Sequence, residues 1–164
     1  MAPGSREPDR EFLVRGCGIL LHGEAVLMQE ATDGRGARGY SLPGGHLEFG
    51  ETLAACLSRE FYEEARLNVE ADKLVYVHEN FYRIHGRDTH EIGFYFACDL
   101  SSEFPAPDAD GYIRCYEAGI RLRLLPLGGL GSFRVLPGFL ADSLPRDAGT
   151  GFARPTRHLV AKGE

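Results

Sequence analysis

The sequence predicts a single domain of the α/β class, and three observations lead to this expectation. A chain of 164 residues has the length of one domain with its own hydrophobic core. Short apolar runs, such as residues 19–21 and 26–28, alternate with glycine-containing turns, which is typical of strands in a buried sheet. Residues 52–65 contain good helix formers and neither glycine nor proline, so they predict a helix with Thr52 as its N-cap.

The N-terminal half adds strands and loops to this plan. Residues 1–10 are polar and contain two prolines, so we expect a flexible arm there and a single domain over residues 11–164. Residues 12–30 predict two strands around a turn at residues 22–24. Residues 32–39 hold three glycines and two arginines, which predicts a mobile loop.

The C-terminal half predicts a hairpin and three further elements. Residues 74–83 and 89–100 have strand character and are separated by the turn sequence of residues 85–88, so they predict a β-hairpin. The further elements are a strand at residues 120–125, a short helix from Pro137, a favourable first-turn residue, to Leu144, and an edge strand at residues 156–161.

The composition argues against several classes of protein. The formal net charge is −6, and an acidic surface is a poor partner for the phosphate backbone of nucleic acids. The four cysteines are scattered, so neither a zinc site nor a disulfide framework is expected. We find no signal-peptide pattern, and no apolar run approaches the roughly 20 residues that cross a bilayer. We therefore expect a cytoplasmic protein that binds neither membranes nor nucleic acids.

Three glutamates lie close together on the predicted helix. Glu60, Glu63 and Glu64 occupy positions i, i+3 and i+4, beside an apolar stripe that includes Leu57 and Phe61. Carboxylates this close repel each other and raise each other's pKa, unless a cation lies among them. Mg²⁺ prefers such oxygen ligands, with water and substrate phosphate completing its shell. The ordinary alternative is a solvated acidic face, and the spacing of the residues decides between the two.

The spacing belongs to a longer pattern that favours the metal site. The pattern is G-x5-E-x7-R-E-U-x-E-E, where U is apolar, and its positions are filled by Gly45, Glu51, Arg59, Glu60, Phe61, Glu63 and Glu64. Average amino-acid usage gives such a coincidence in about one chain in 10⁵ or fewer. The pattern, preceded by the strand and turn of residues 40–45, resembles the motif of the Nudix hydrolases. The resemblance extends over about residues 12–145.

The resemblance implies a fold, a cofactor and roles for individual residues. The fold is an α/β/α sandwich with a mixed β-sheet, in which the motif forms a loop–helix–loop that binds Mg²⁺, or Mn²⁺ in its place. The groups that match metal ligands are the carbonyl of Gly44 and the carboxylates of Glu60, Glu63 and Glu64. Glu60 also matches the residue that acts as, or orients, the general base. Arg59 and Glu51 match residues that hold the carboxylates and the loop at Gly45 in place.

The sequence departs from the family motif at one position just after the helix. Family members have a glycine two residues after the last glutamate, where the backbone is left-handed, but this chain has Arg66. A residue other than glycine costs about 1–2 kcal/mol in that conformation. Either Arg66 bears this strain, or the helix continues and ends at Asn68, which tolerates the left-handed region.

Residues outside the motif are candidates for further roles. Nudix enzymes often recruit an acid from elsewhere as a base or an additional ligand, and we expect Glu91 to serve here, with Glu79 and Glu117 as alternatives. The ordinary role of Glu91 would be that of a salt-bridged strand residue. We also predict that Arg35, Arg38 and Tyr40 contact the substrate. The ordinary alternative is a solvated loop charge for each arginine and a core aromatic ring for Tyr40.

The sequence therefore predicts Mg²⁺-dependent hydrolysis of a pyrophosphate bond in a nucleoside diphosphate linked to another group, such as a nucleotide sugar. A water deprotonated by a carboxylate would attack phosphorus in line. The alternatives are a nucleoside triphosphate pyrophosphohydrolase and a domain of the same fold that binds a nucleotide as a sensor without hydrolysing it. RNA decapping would require a basic groove, which an acidic chain does not predict. Family members are often dimers, so a homodimer is compatible with the resemblance.

Overall fold

The computed structural model describes residues 9–161. Strands and helices alternate along this part of the chain much as the sequence predicts. In chain order they are β1 (Arg10–Ile19), β2 (Leu21–His22), β3 (Ala25–Thr32), β4 (Arg38–Ser41), β5 (Gly44–His46), α1 (Leu53–Ala65), β6 (Val69–Ile84), β7 (Arg87–Leu100), β8 (Tyr112–Ile113), β9 (Arg121–Pro126), a 3₁₀ helix (Leu127–Ser132), α2 (Leu140–Ala148) and β10 (Arg157–Val160).

The strands form two sheets of five strands each. The first has the order β10-β6-β7-β1-β5, in which β1 runs parallel to β7 and β10 runs parallel to β6, whereas the other pairs are antiparallel. The second has the order β2-β3-β9-β8, and β4 pairs with β3. The expected mixed sheet is therefore confirmed.

Two hydrophobic cores lie on opposite faces of the first sheet. Alternate residues of β1 face opposite ways: Cys17 belongs to the core shared with α2, whereas Gly18 lies against the ring of Phe61 on α1. Leu140 and Leu144 of α2 complete the first core, together with side chains from β6 and β7. One helix thus covers each face, and the α/β/α sandwich is confirmed.

Local signals in the sequence explain several elements. Thr52 caps α1, since its Oγ1 accepts a hydrogen bond from the Ala55 amide at 3.1 Å. The hairpin of β6 and β7 turns at His85 and Gly86, whose φ angles of 50° and 78° fit the left-handed geometry of a two-residue hairpin turn. The predicted strand at residues 120–125 is β9, and the predicted edge strand is β10 at one end of the first sheet.

Several predicted boundaries are wrong. β6 begins at Val69 rather than at Leu74, β7 begins at Arg87 within the predicted turn, and β4 begins at Arg38 within the predicted loop. β1 already begins at Arg10, the last residue of the predicted arm, while residues 1–8 lie outside the described residues. The second helix begins at Leu140 rather than at Pro137, and it continues through Pro145 to Ala148. Pro137 instead starts a tight turn, in which the Leu140 amide donates to the Pro137 carbonyl at 3.2 Å. The ring of Phe139, the residue directly before the helix, packs against the rings of Tyr76 and Tyr95.

No helix within residues 9–161 is both long enough and apolar enough to cross a membrane.

Candidate active site

Helix α1 gives its three predicted ligand residues very different surroundings. Its apolar stripe is buried, with Leu57 and Phe61 at most 1% exposed. Glu64, beside this stripe, is only 2% exposed. The side chains of Glu60 and Glu63 are 15% and 59% exposed. The three carboxylates therefore run from the core to solvent along one edge of the helix.

Arg59 connects the helix to the loop that precedes it. Its Nε donates to Glu51 Oε1 at 2.8 Å, and its Nη1 donates to Glu60 Oε1 at 2.7 Å. Glu51 Oε2 also accepts a hydrogen bond from the Glu48 amide at 3.1 Å, which fixes the loop. The hydrogen bonds from Arg59 lower the pKa of Glu51 to about 2, so this carboxylate stays charged. Arg59 and Glu51 thus connect the loop before α1 to the carboxylate of Glu60.

Glycines 44 and 45 bring the backbone close to other groups. Gly44 has a φ of 149°, and a Cβ there would overlap the carbonyl of Gly16. A Cβ at Gly45 would overlap the carboxylate of Glu60. The Gly44 carbonyl, a predicted metal ligand, accepts a hydrogen bond from Arg15 Nη2 at 3.2 Å. The lack of side chains at these two positions therefore makes room for Glu60 and for the turn itself.

Glu64 is the most unusual carboxylate of the site. Its Oε2 is buried and has no hydrogen-bond partner among the described residues. Burial, followed by the charges of Glu117 and Glu60, raises the pKa of Glu64 to about 8. A buried carboxylate in this situation requires a proton or a cation.

The residues present suit a divalent cation. Carboxylate and carbonyl oxygens are the donors that Mg²⁺ prefers, and the unpaired oxygen of Glu64 is available to such an ion. Over residues 9–161 no three acidic, histidine or cysteine side chains are already gathered as a ligand set. Glu60 is instead paired with Arg59 through a direct ion pair.

The three acids considered outside the motif lie in different places. Glu117 is near enough to Glu64 for its charge to raise the pKa of Glu64. Glu79 lies with its carboxylate 3.2 Å from His90 Nε2 and 2.8 Å from His158 Nε2, which matches an ordinary paired strand residue. Glu91 accepts a hydrogen bond from the Tyr82 hydroxyl at 3.1 Å and lines a cavity. Glu117 is thus associated with the motif acids, and Glu91 with the cavity.

The cavity beside the motif has a volume of about 540 Å³, which suits a nucleotide-sized ligand. It lies between the first sheet and the turn that precedes α2. Its polar lining includes Arg15, Ser41, Asn80, Tyr82 and Glu91. Arg15 links this cavity to the motif, because the same side chain contacts the Gly44 carbonyl.

Sequence reasoning missed three of the polar residues here. Arg15 and Asn80 line the cavity, and His46 Nε2 lies 3.6 Å from Glu91 Oε2. None of them belongs to a sequence motif. A larger depression of about 640 Å³ is lined by residues such as Phe12, Phe81 and His90. Neither lining contains a motif residue, but Arg15 of the smaller cavity contacts the carbonyl of Gly44, which directly precedes the motif. We therefore regard the cavity at Arg15 as the candidate substrate site.

The three residues predicted to contact substrate do not line this cavity. Tyr40 is 5% exposed, and its hydroxyl donates to Glu30 Oε2 at 2.8 Å, so its ring is part of the core. Arg38 is exposed as the first residue of β4, and Arg35 is exposed in the loop between β3 and β4. The burial of Tyr40 argues against its predicted role, and these arginines have the surroundings of solvated loop charges.

Arg66 resolves the alternatives that the sequence leaves open. The helix ends at Ala65, and Arg66 is left-handed, with φ 58° and ψ 29°. Its amide bonds to the carbonyls of Phe61 and Tyr62, as a glycine at the same position would. Arg66 therefore bears the strain itself, and the helix does not continue to Asn68.

Two substitutions at this position should separate strain from side-chain contacts. We expect Arg66→Gly to be more stable than Arg66→Ala by about 1 kcal/mol, because both lose the guanidinium but only alanine keeps the left-handed strain. Thermal or denaturant unfolding of both variants measures this difference. Equal stabilities would show that residue 66 is not held in a strained conformation.

Comparisons with known proteins agree with this architecture. The family model of the Nudix domain matches residues 13–127. The phosphatase NudJ of Escherichia coli is 27% identical over 99 residues, which are 60% of this chain and 61% of that protein. The chain thus spans about three fifths of the length of the curated relatives that it matches.

Solved structures show the same fold. A Nudix hydrolase from Nitrosomonas europaea has a TM-score of 0.59 and 22% identity, over 93% of this chain and 79% of that one. An ADP-ribose pyrophosphatase from Streptococcus suis has a TM-score of 0.55 and 15% identity, over 91% of this chain and 98% of that one. The family match covers most of the chain and contains the complete carboxylate motif. The chain therefore belongs to the Nudix family, whose members are hydrolases of phosphorus-containing acid anhydrides.

Proposed function

We propose that this protein hydrolyses the pyrophosphate bond of a nucleoside diphosphate linked to another group, such as a nucleotide sugar, and that it requires Mg²⁺ or Mn²⁺. The observation that carries the proposal is the position of Arg15. Its guanidinium contacts the Gly44 carbonyl and also lines the cavity of about 540 Å³. A ligand in this cavity would therefore lie beside a side chain that contacts the residue directly before the motif.

Four groups would hold the metal ion: the carbonyl of Gly44 and the carboxylates of Glu60, Glu63 and Glu64. The unpaired buried oxygen of Glu64 supports this assignment, because a cation would supply the missing partner. When bound, the ion supplies positive charge that offsets the charge of the diphosphate in the transition state.

The protein's own residues would position the carboxylates and receive a proton. Arg59 and Glu51 hold Glu60 at the edge of the site. A carboxylate takes a proton from water, the water oxygen bonds to phosphorus, and the bond from phosphorus to the bridging oxygen breaks. Glu60, a motif acid, and Glu117, whose neighbour Tyr116 donates to the Glu64 carbonyl, are two acids that we propose for this proton. Glu91, which lines the cavity, is the alternative.

Small substrates suit this site better than long nucleic acids. The chain has a net charge of −6, and affinity for a polynucleotide depends on many contacts with phosphate that this charge opposes. The cavity has room for one nucleotide-sized group. The neighbour from Streptococcus suis is described as an ADP-ribose pyrophosphatase, a reaction of the proposed class.

A panel of substrates tests the proposal. Purified protein with Mg²⁺ is incubated with nucleotide sugars, nucleoside triphosphates, dinucleoside polyphosphates and capped RNA, and the products are separated by chromatography. We expect a nucleoside monophosphate and a phosphorylated second product from the nucleotide sugars. Turnover of triphosphates alone would favour a triphosphate pyrophosphohydrolase, and tight nucleotide binding without turnover would favour a sensor. Decapping without turnover of any small diphosphate would overturn the proposed substrate class.

A further inference from the structure

The loop between β8 and β9 folds back onto the end of the motif helix. The amide of Tyr116 in this loop donates a hydrogen bond of 2.7 Å to the carbonyl of Glu64. Carbonyls in the last turn of a helix have no partner within the helix, so this bond attaches the loop at a point where a donor is needed. The loop is thereby tied to the backbone of a proposed metal ligand.

Arg66 joins the same two segments through its side chain. Its guanidinium lies 4.7 Å from the ring centre of Tyr116 in the loop and 5.1 Å from that of Tyr62 on the helix. Its Nη1 also donates to the carbonyls of Tyr62 at 2.8 Å and Glu63 at 3.3 Å. One guanidinium therefore bonds to the end of the helix and stacks on the loop.

This contact exists only because Arg66 stands where the family motif has glycine. A glycine would make the same left-handed turn without strain, but it has no side chain that could reach Tyr116. The chain therefore keeps a non-glycine residue in the left-handed conformation at this position. The guanidinium that it gains contacts both the end of the helix and the loop.

The loop carries an acid to the motif. Glu117 follows Tyr116 directly, and its backbone carbonyl accepts a weak hydrogen bond from the Cys115 thiol at 3.6 Å. The hydrogen bond from the Tyr116 amide to the Glu64 carbonyl therefore brings this acid within one residue of the contact with a proposed metal ligand. Glu117 is exposed, so its side chain is available to a ligand bound beside Glu64.

We propose that Arg66 is a positioning residue, which clamps the loop of residues 114–120 onto the C-terminal end of α1 and so holds Glu117 beside Glu64. This inference rests on the proposed function, because it assigns Glu117 to the same metal and proton chemistry. A helix cap without this role would contribute to stability alone. The two possibilities differ in what happens to catalysis when Arg66 becomes glycine.

The first measurement is a double-mutant cycle on kcat and KM. We expect Arg66→Gly to lower kcat about tenfold with KM changed less than about twofold, while the protein remains folded. Glu117→Gln should lower kcat by about tenfold or more. The double variant should be no slower than Glu117→Gln alone, because Arg66 acts through Glu117. Arg66→Lys, which keeps a cation near Tyr116, should recover most of the activity lost in Arg66→Gly.

The second measurement does not depend on catalysis. Mn²⁺ binding, followed by electron paramagnetic resonance, should weaken several-fold in both Arg66→Gly and Glu117→Gln. Arg114→Ala is the matched control: Arg114 also stacks on the Tyr116 ring, at 4.6 Å, but it belongs to the loop and cannot join the loop to the helix. We expect Mn²⁺ affinity and kcat to change less than about twofold in this control.

Clear results would overturn the inference. Multiplicative losses of kcat in the double variant, or unchanged kcat and Mn²⁺ affinity in Arg66→Gly, would show that Arg66 only caps the helix. Activity that is lost in Glu64→Gln but unaffected by Arg66→Gly and Glu117→Gln would overturn this inference and leave the proposed function intact. A wild-type protein that hydrolyses no member of the panel would contradict the proposed function, and Mn²⁺ binding would still test the clamp.

Discussion

Replacing Glu64 with glutamine is expected to lower kcat at least about 100-fold, which corresponds to roughly 3 kcal/mol of transition-state stabilisation. Glutamine has nearly the same shape as glutamate, so the core around residue 64 should remain packed. The change removes the charge from the most buried carboxylate of the site and leaves the other ligand residues in place. Steady-state kinetics with the best substrate of the panel measure the effect.

The same substitution should change the pH dependence of stability in metal-free buffer. The pKa of Glu64 is about 8 in the folded protein, against an ordinary value of 4.5, so between these pH values the folded state keeps a proton that the unfolded state has lost. The free energy of unfolding of the wild type therefore falls as pH rises from about 5 to about 8. In Glu64→Gln this contribution is absent, so the stability of the variant relative to wild type should increase over that range.

Thermal unfolding in EDTA at several pH values tests the second effect. Glu70→Gln is a suitable control, since Glu70 is exposed on β6. We expect this control to retain its activity and to follow the pH dependence of the wild type. Glu63→Gln should also lose activity, because Glu63 is a proposed ligand. Near-wild-type turnover in both Glu63→Gln and Glu64→Gln would contradict the site assignment.

Elements specified by local signals could be predicted from the sequence. Helix α1 can be predicted from the Thr52 cap and from the spacing of the apolar residues Leu57 and Phe61. Both signals lie within the helix segment itself and do not depend on distant parts of the chain. The hairpin follows from a turn at His85 and Gly86 that only a few residue types adopt readily. The same logic predicts a helix from Pro137, but residues 137–139 form a turn whose Phe139 ring packs on Tyr76, and the helix begins at Leu140.

Parts of the site that depend on distant contacts could not be predicted. Arg15 contacts Gly44 because β1 and β5 pair in one particular register. The two residues are 29 positions apart in the chain, and no local sequence signal specifies that pairing. The choice between Glu91 and Glu117 depends on which element folds against the end of α1, and the sequence does not reveal this. Arg66 could be recognised as a departure from the motif, but its contact with Tyr116 becomes visible only in the fold.

Gly45→Ala is the second change for which we expect a large effect, a loss of kcat of about 10- to 100-fold with little loss of stability. The added Cβ would overlap the carboxylate of Glu60, which is the far end of a flexible side chain and can move aside at small cost. Its movement would break the ion pair of 2.7 Å with Arg59 and displace a proposed ligand. Small displacements of a catalytic group are costly for rate, because the reaction requires a defined geometry.

Two glycines of β1 that face α1 provide controls with opposite expectations. A Cβ at Gly16 would make only ordinary contacts, the nearest at 3.5 Å to Cys56 Sγ, so Gly16→Ala should keep both activity and stability. A Cβ at Gly18 would overlap the ring of Phe61 in the core, so Gly18→Ala should lose about 1–3 kcal/mol of stability. Its activity per folded molecule should change much less than that of Gly45→Ala.

Kinetics and thermal unfolding of the three alanine variants, measured together, separate local geometry from global stability. The expected pattern is a catalytic defect in Gly45→Ala, a stability defect in Gly18→Ala and neither in Gly16→Ala. This pattern would tie activity to the position of the Glu60 carboxylate, because Gly45 has no side chain of its own that could take part in the chemistry. Full activity in a stably folded Gly45→Ala variant would show that the reaction does not depend on the place that Glu60 occupies beside Gly45.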